Sequence, residues 1–370
     1  MLSGTVSGDR RTRASGVVTA VADPSSGRRG GLREVALAAG VSLSTVSNVL
    51  NNPQVVAEET RRRVEEAMVG VGFVRNRAAR QLRGSPSTVV GGVVLDVSNP
   101  YFAELARGME DRLAEADCVL VLCSTDVDPE RQARQLRTLE ELGALGVVVS
   151  PAAGPLDPLV EVARRGTPVV LVDHPAGDLP LCAAAVDHDH GGALAAGQLL
   201  DAGHRRLVFV REALDVHSTA ARVEGARRAM REAGLDPASA LAEVRLRRHG
   251  SRGLIENAEE VVDGLLALSP RPTGVLCFND ITAIGVIQGL SRRGVAVPER
   301  MSVVGYDDVP FAAQISPPLT TVRQPTYELG RAAATLLLAE REPGHRHGES
   351  LFTPQLVVRG SVAAPPPQDR

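Results

Sequence analysis

From Leu32 onward the hydrophobic positions recur at helical spacing. Leu32, Val35, Ala36 and Ala39 fall on one face of a short helix that stops at Gly40. In the next stretch, GVSLSTVSNVLN from Gly40 to Asn51, Val46, Val49 and Leu50 share a face, and Ser44, Ser47, Asn48 and Asn51 lie opposite. Val64, Ala67, Met68 and Val71 repeat the pattern inside AEETRRRVEEAMVGVG. Three short helices with a Gly-Val-Ser turn between the first two predict a helix-turn-helix. The middle helix carries neutral hydrogen-bonding groups and no charge on its polar side.

RNRAARQLRG, Arg75–Gly84, has four arginines and few apolar residues. It is shorter than the roughly 12–15 residues that sustain a lone helix in water, so it reads as a linker or as a helix that forms against a partner. After Thr88 the pattern changes to continuous apolar runs: VVGGVVLDV, CVLVLCST, LGVVVSP, PVVLVD and AAAVD, separated by amphipathic segments beginning near Tyr101, Pro129 and Leu156. The alternation restarts after Asp187 with RLVFV, VRLRR, GVLCFND and MSVVGYDD. Buried strands alternating with helices predict parallel sheets covered on both faces, and two successive series predict two lobes. Ligands in such folds lie beyond the carboxyl ends of strands. Polar residues gather there: Asp96 and Ser98, Ser124 and Asp126, Asp173, Asn279 and Asp280, Asp307 and Asp308.

Composition sharpens this picture. Aromatic residues make up 2% of the 370, with no Trp, so few side chains are available to stack on a flat ligand. The net charge of −3 is uneven: residues 1–84 hold thirteen Arg against seven acidic residues, which leaves −9 on the remainder. A basic front on an acidic body predicts that only the front meets a polyanion. Cys118, Cys123, Cys182 and Cys277 form no CxxC and no metal-ligand spacing, so reduced thiols and no metal are expected. Residues 1–30 show no signal-type apolar core and read as a disordered extension, and no apolar run approaches the ~20 residues that span a bilayer. A cytoplasmic protein without membrane contact is expected.

The segments VALAAGVSLSTVSNVLNN, RNRAARQLRG, VSNPYFAELARGMED, GHRRLVFV, RVEGARRAMREAGL, FNDITAIG, VPERMSVVGYDD and PPLTTVRQP together resemble the lactose/galactose-repressor (LacI/GalR) family. The likeness covers about residues 31–362, in family order and spacing. It implies a dimeric transcriptional repressor. The implied fold is an N-terminal all-α helix-turn-helix head (31–75), a hinge helix (76–86), and an α/β two-lobed core like periplasmic sugar-binding proteins with parallel sheets (87–362). A disordered tail (363–370) would follow. The chain would cross between lobes near Asp187–His188, Thr320–Gln324 and Phe352–Gln355. A ligand in the cleft would change lobe closure and hence the placing of two hinge helices.

By the same resemblance, Leu43, Ser44 and Asn48 face base edges of double-stranded operator DNA, and Thr45, Ser47, Asn51 and Thr60 hold phosphates. A solvated polar face on a small bundle is the competing reading. The family usually carries Arg at the position of Asn48; Arg pairs with guanine, whereas Asn pairs with adenine N6 and N7. Ala57 and Gly31 replace the usual hydroxyl caps of the third and first helices. In the hinge, Leu82 matches a leucine that wedges into a minor-groove step, with Asn76, Arg77 and Arg80 near the backbone or groove. Packing of Leu82 on the core is the alternative.

In the core the resemblance places Ser98, Asn99, Tyr101 and Phe102 against a small-molecule effector, with helix-start packing as the alternative for Tyr101 and Phe102, for Phe102 above all. Arg222 matches a cleft arginine whose fork grips hydroxyls or carboxylates. Asn279, Asp307 and Gln324 match further cleft positions, with capping of the next segment as the alternative for Asp307, and Ser124, Asp126, Asp173 and Ser218 join them as weaker matches. His174 stands where sugar-binding members often have Arg, and His188 replaces a common Asn. Asp and Asn beside an Arg fork suit a sugar or sugar derivative, with a nucleoside or purine as the alternative. A sensor protein without DNA binding fits the core but not residues 31–84. The chain has no GxGxxG after a strand, no GxxxxGK[ST] and no GxSxG, so neither an enzyme nor a cofactor is expected.

Overall fold

The computed structural model describes residues 31–74, 87–247 and 254–367. The chain divides into two compact units at Ser85–Pro86.

The first unit holds α1 (Leu32–Ala39), α2 (Leu43–Asn51) and α3 (Glu58–Gly70), with a 3-10 turn at Pro53–Val55. Val35, Ala36, Ala39, Val46, Val49 and Val64 are its buried centre, and Leu32, Leu50, Ala67, Met68 and Val71 pack around them partly buried. Gly40 closes α1 in the left-handed region at φ 63°, which turns the chain toward α2. The Ser42 hydroxyl then caps α2 by accepting from the Thr45 N–H. Ala57 caps α3 with no side-chain bond. Gly31 offers no side chain to α1, but its own N–H donates to the Glu34 carboxylate at 2.8 Å, so half of a capping box survives.

The second unit contains two parallel sheets. One has the order β11-β5-β4-β3-β1-β2, the other β7-β6-β8-β9. The first is built from β1 (Val89–Val94), β2 (Val119–Ser124), β3 (Gly146–Val149), β4 (Val169–Val172), β5 (Cys182–Val186) and β11 (Glu349–Phe352). Its helices are α4 (Pro100–Ala114), α5 (Pro129–Glu141), α6 (Asp157–Arg164) and, returning late in the chain, α13 (Thr326–Ala339). The second sheet comprises β6 (Leu207–Arg211), β7 (Leu241–Arg245), β8 (Gly274–Cys277) and β9 (Ser302–Val304). Around it lie α7 (His188–Asp201), α8 (His217–Glu232), α9 (Pro237–Ala240), α10 (Leu254–Glu260), α11 (Val262–Leu266) and α12 (Asp280–Arg292). β10 (Thr321–Arg323) and β12 (Gln355–Val357) pair antiparallel. The chain leaves the first lobe after β5, returns between β10 and α13, and leaves again between β11 and β12, at the expected crossings. Two crossings are tied together where the Asp187 N–H donates to the Phe352 carbonyl at 2.9 Å.

Three sequence expectations need correction. VRLRR was expected as a strand, but β7 begins at Leu241 and ends at Arg245, because its register against β6 runs Leu207↔Leu241 to Arg211↔Arg245. CVLVLCST was expected to be buried. β2 is instead an edge strand, paired among the described residues with β1 alone, and Val119, Val121 and Leu122 are exposed. The tail expected to be disordered from residue 363 is held at its start: the Ala363 carbonyl faces His204 Nε2 at 2.9 Å, and its N–H donates to Ser302 Oγ at 3.1 Å.

Helices α7 and α8 pack almost backbone to backbone. A Cβ added to Gly225 would lie 1.8 Å from the Asp189 carbonyl oxygen, and one on Gly192 would lie 2.0 Å from that of Arg222. Glycine at these positions sets the distance between His188, which starts α7, and Arg222 in α8.

Candidate functional site

On the head, the exposed side of α2 presents Leu43, Ser44, Asn48 and Asn51, with Thr45 and Ser47 half-buried beside them and Thr60 half-buried on α3. The hydroxyls at the helix start are clustered: Ser42 Oγ lies 2.7 Å from Ser44 Oγ and 2.8 Å from Thr45 Oγ1. Asn51 folds back, its Nδ2 donating to the Ser47 carbonyl at 2.9 Å and to Ser47 Oγ at 3.1 Å. Asn48 lies between these groups with an exposed side chain. On α3, Arg61 and Arg62 are each paired with glutamates three and four residues away, so their charge is partly spent within the helix. Asn76, Arg77, Arg80 and Leu82 lie outside the described residues.

In the core, a cavity opens at the carboxyl ends of the strands of both lobes. Asn99, Tyr101, Phe102 and Asp173 line it from one lobe, and Ser218, Arg222, Asn279 and Asp307 from the other. Asn99 Nδ2 donates across the gap to Asp307 Oδ2 at 3.2 Å. Gln324 Nε2 holds the other oxygen, Oδ1, at 2.8 Å, so Gln324 positions Asp307. Asn279 caps α12 by accepting the Thr282 N–H at Oδ1, which commits that oxygen. Tyr101 and Phe102 meet edge to face with centroids 5.0 Å apart.

His188 links the two lobes. Its Nε2 lies 2.8 Å from Asp173 Oδ1, while Nδ1 faces Tyr306 OH and Arg222 Nε, each at 3.4 Å. Because Arg222 can only donate, Nδ1 accepts, and the proton resides on Nε2 facing Asp173. The ring is thus neutral, as burial and the neighbouring Arg222 cation both require. Burial opposes charge on Asp173, but the imidazole and Arg222 outweigh it and hold the carboxyl below its ordinary value. Arg222 itself is stacked 3.7 Å over the Tyr306 ring, and its Nη1 donates to the Phe278 carbonyl. Burial pushes Asp307 up to about 7, even though Arg222, Asn99 and Gln324 all favour its ionised form.

Four expected contacts lie outside the cavity lining: Gln324, which reaches it only through Asp307, and Ser98, Ser124 and Asp126. Ser98 is exposed and donates through Oγ to Asp96 Oδ1 at 2.8 Å. Ser124 bonds to Asp126, which pairs with Arg131. Ser98, Ser124 and Asp126 do not line the cavity, because short local hydrogen bonds hold Ser98 and Asp126 in the loops that follow β1 and β2 and tie Ser124, the last residue of β2, to Asp126. Asp280 and Asp308, grouped with the strand-end candidates, are structural. Asp280 is fully buried, accepting from Thr321 Oγ1 and the Val309 N–H, and Asp308 pairs with Arg323 and Arg359. His174 bonds the Pro175 carbonyl and stands 4.3 Å from the His217 ring.

The cavity also contains residues the sequence reading missed. Glu212, Thr219 and Phe278 line it. Glu212 Oε1 accepts from Thr219 at 2.7 Å, while Oε2 is buried without a partner among the described residues. Its carboxyl is raised by burial. Glu212 directly follows β6, so the strand-end rule that found Asp173 and Asp307 also reaches it.

A three-helix head with an exposed polar reading helix, joined in sequence to a two-lobed α/β core around a buried polar cavity, defines a ligand-binding regulator of the helix-turn-helix class. Residues 31–76 match the family described as bacterial regulatory proteins, lacI family, and residues 196–362 match a periplasmic binding protein-like domain. The chain is 33% identical over 341 residues to the HTH-type transcriptional repressor PurR of Photobacterium profundum, spanning 90% of this chain and 98% of that one. It therefore belongs to the lacI family and is a DNA-binding transcriptional regulator. A LacI family transcriptional regulator from Enterococcus faecium with bound ribose is similar at 29% identity and TM-score 0.66, over 75% of this chain and 99% of that chain. A lac repressor dimer bound to operator and an anti-inducer shares the fold, at 24% identity and TM-score 0.75, over 91% of this chain and all of that one. Among the described residues no helix is long and apolar enough to cross a membrane.

Proposed function

We propose that this regulator is a repressor that binds a pseudo-palindromic operator as a homodimer in the cytoplasm, without enzymatic activity. In this reading a polyhydroxylated effector, a sugar or sugar derivative, occupies the interlobe cavity and controls operator affinity. The observation that carries the effector reading is the convergence of Arg222, Asp173, Asp307, Asn99 and Asn279 on one buried space. Carboxylates accept from ligand hydroxyls, and the guanidinium and amides donate to ligand oxygens, a pattern that matches alternating donors and acceptors on a sugar ring. Asn99 and Asp307 already bond to one another across the cavity, so a ligand that replaces this bond exerts force on lobe closure. The exposed apolar residues of edge strand β2 support self-association through that lobe.

A nucleoside is the second reading. Tyr101, Phe102 and Phe278 all line the cavity, in a chain with only three Tyr, six Phe and no Trp, and such rings stack on a base. Calorimetry of the full chain against ribose, hexoses and nucleosides separates the two readings. Mobility shift on operator DNA, with and without the bound compound, then tests control. Saturable binding of neither class would overturn the effector reading.

A further inference from the structure

Away from the cavity, four side chains that are far apart in sequence meet at the edge of the first lobe. Cys182 begins β5, Glu340 follows the last residue of α13, and His345 and His347 lie in the loop that leads into β11. One ligand atom from each lies within 4.8 Å of all the others. Cys182 Sγ is 3.2 Å from His345 Nε2 and 3.9 Å from His347 Nδ1. Glu340 Oε1 is 3.5 Å from His345 Nε2 and 3.0 Å from His347 Nδ1. We infer that Cys182, Glu340, His345 and His347 form a four-coordinate site for a divalent zinc-class cation.

The distances fit that ion. Tetrahedral zinc, with bonds near 2.3 Å to sulfur and 2.0–2.2 Å to nitrogen and oxygen, places S and N ligands about 3.6 Å apart and N and O ligands about 3.3–3.4 Å apart. These four separations fall within about 0.5 Å of those values, and the remaining two lie within 4.8 Å. The donor chemistry fits as well. One thiolate, two imidazoles and one carboxylate are a borderline-soft set that suits zinc and excludes calcium and magnesium, which take oxygen. Thiolate and carboxylate together carry two negative charges, which a dication neutralises.

The surroundings are those of a supported site. The Gly348 N–H donates to Cys182 Sγ at 3.4 Å, the kind of outer contact that steadies a sulfur ligand. Glu340 is the C-cap of α13, so the partial negative end of that helix adjoins a ligand of the cluster. The His347 side chain is 44% exposed, and it and Glu340 border a surface pocket that provides a path from solvent. The ion would clip the loop between α13 and β11 onto β5. β11 then runs directly into the crossing at Phe352–Gln355. Cysteine spacing does not reveal the site because three of the four ligands come from a stretch more than 150 residues after Cys182.

The full chain, stripped with a chelator, is titrated with Zn²⁺ by calorimetry and with Co²⁺ by absorption. One Zn²⁺ per chain is expected. Co²⁺ should give a thiolate-to-metal charge-transfer band and the strong visible bands of tetrahedral cobalt. Cys182→Ser should abolish the charge-transfer band, and Cys118→Ser should keep it. Cys182 is buried, so His347→Ala at the half-exposed position is the second variant, expected to weaken Zn²⁺ binding at least about tenfold. Absence of saturable Zn²⁺ uptake would mean a purely hydrogen-bonded cluster and overturn the inference. So would a charge-transfer band that survives Cys182→Ser, or wild-type affinity in His347→Ala.

Discussion

Asn99 and Asp307 are 208 residues apart in sequence, yet Asn99 Nδ2 donates to Asp307 Oδ2 at 3.2 Å across the cleft that separates the two lobes. Asp307 is thereby shared. One oxygen serves Gln324 within its own lobe and the other serves the opposite lobe. A ligand that competes for the second oxygen acts on the contact between lobes.

Asp307 makes folding stability depend on pH. Its carboxyl ionises near 3.8 when solvated and at about 7 when folded, so the unfolded chain gives up its proton first. The group's contribution to stability is complete below about pH 4 and is lost as pH rises through 7. A shift of about three units corresponds to about 4 kcal/mol at most. Asp307→Asn has no such dependence. In urea unfolding without ligand, the variant should gain on the wild type by a few kcal/mol between about pH 4 and pH 7.5. A constant difference across that range would place the carboxyl in a better-solvated site.

Among the described residues Arg222 is the one guanidinium in the cavity lining, and its removal takes away the cation that favours the ionised forms of Asp173 and Asp307. Arg222→Ala should cost about 3–5 kcal/mol of stability and lower ligand affinity about 30-fold or more. Operator affinity, measured by mobility shift, should stay near that of the wild type. Arg222→Lys restores the charge but not the planar fork stacked on Tyr306, so only part of the ligand affinity should return. A ligand response unchanged in Arg222→Ala would remove this arginine from the effector site.

Glu212 carries a buried Oε2 that has no partner among the described residues. A ligand hydroxyl placed there gives this buried oxygen the hydrogen bond it lacks, and leaving such a group unmet costs about 1–3 kcal/mol. Glu212→Gln keeps an acceptor for Thr219 and replaces Oε2 by an amide donor. The variant should be no less stable than the wild type at neutral pH, while binding the ligand roughly 5- to 150-fold more weakly. Undiminished binding with raised stability would make Glu212 a strained structural acid.

Asn48 should read adenine. A two-fold dimer presents α2 to two half-sites, and the Asn amide fits adenine N6 and N7. Replacing that adenine should weaken binding by about 1–3 kcal/mol, roughly 5- to 150-fold. In selection from a randomised operator library, Asn48→Arg should move the preference at that base pair toward guanine. A preference that the substitution leaves unchanged would make Asn48 a phosphate or water contact.

Local physics made much of this protein legible in one dimension. Helical periodicity placed Val35, Val46, Val49 and Val64 in the head's core, and Gly40 and Ser42 mark its turn through backbone freedom and capping, which act over a few residues. The apolar strand runs and their polar ends located Asp173, Asn279 and Asp307 by the same logic. What tertiary structure decided was which of those ends face each other and which turn away. Asp280 and Asp173 look alike in sequence, yet one is locked under Thr321 and the other faces the cavity. β2 reads as buried because apolarity records composition and not the number of neighbouring strands, so its edge position is visible only in the assembled sheet. The pairing of His188 with Asp173, and the meeting of Cys182 with His345 and His347, depend on crossings that return the chain to a sheet it left many residues before. No local energy encodes such meetings. They are fixed by the closure of the whole chain.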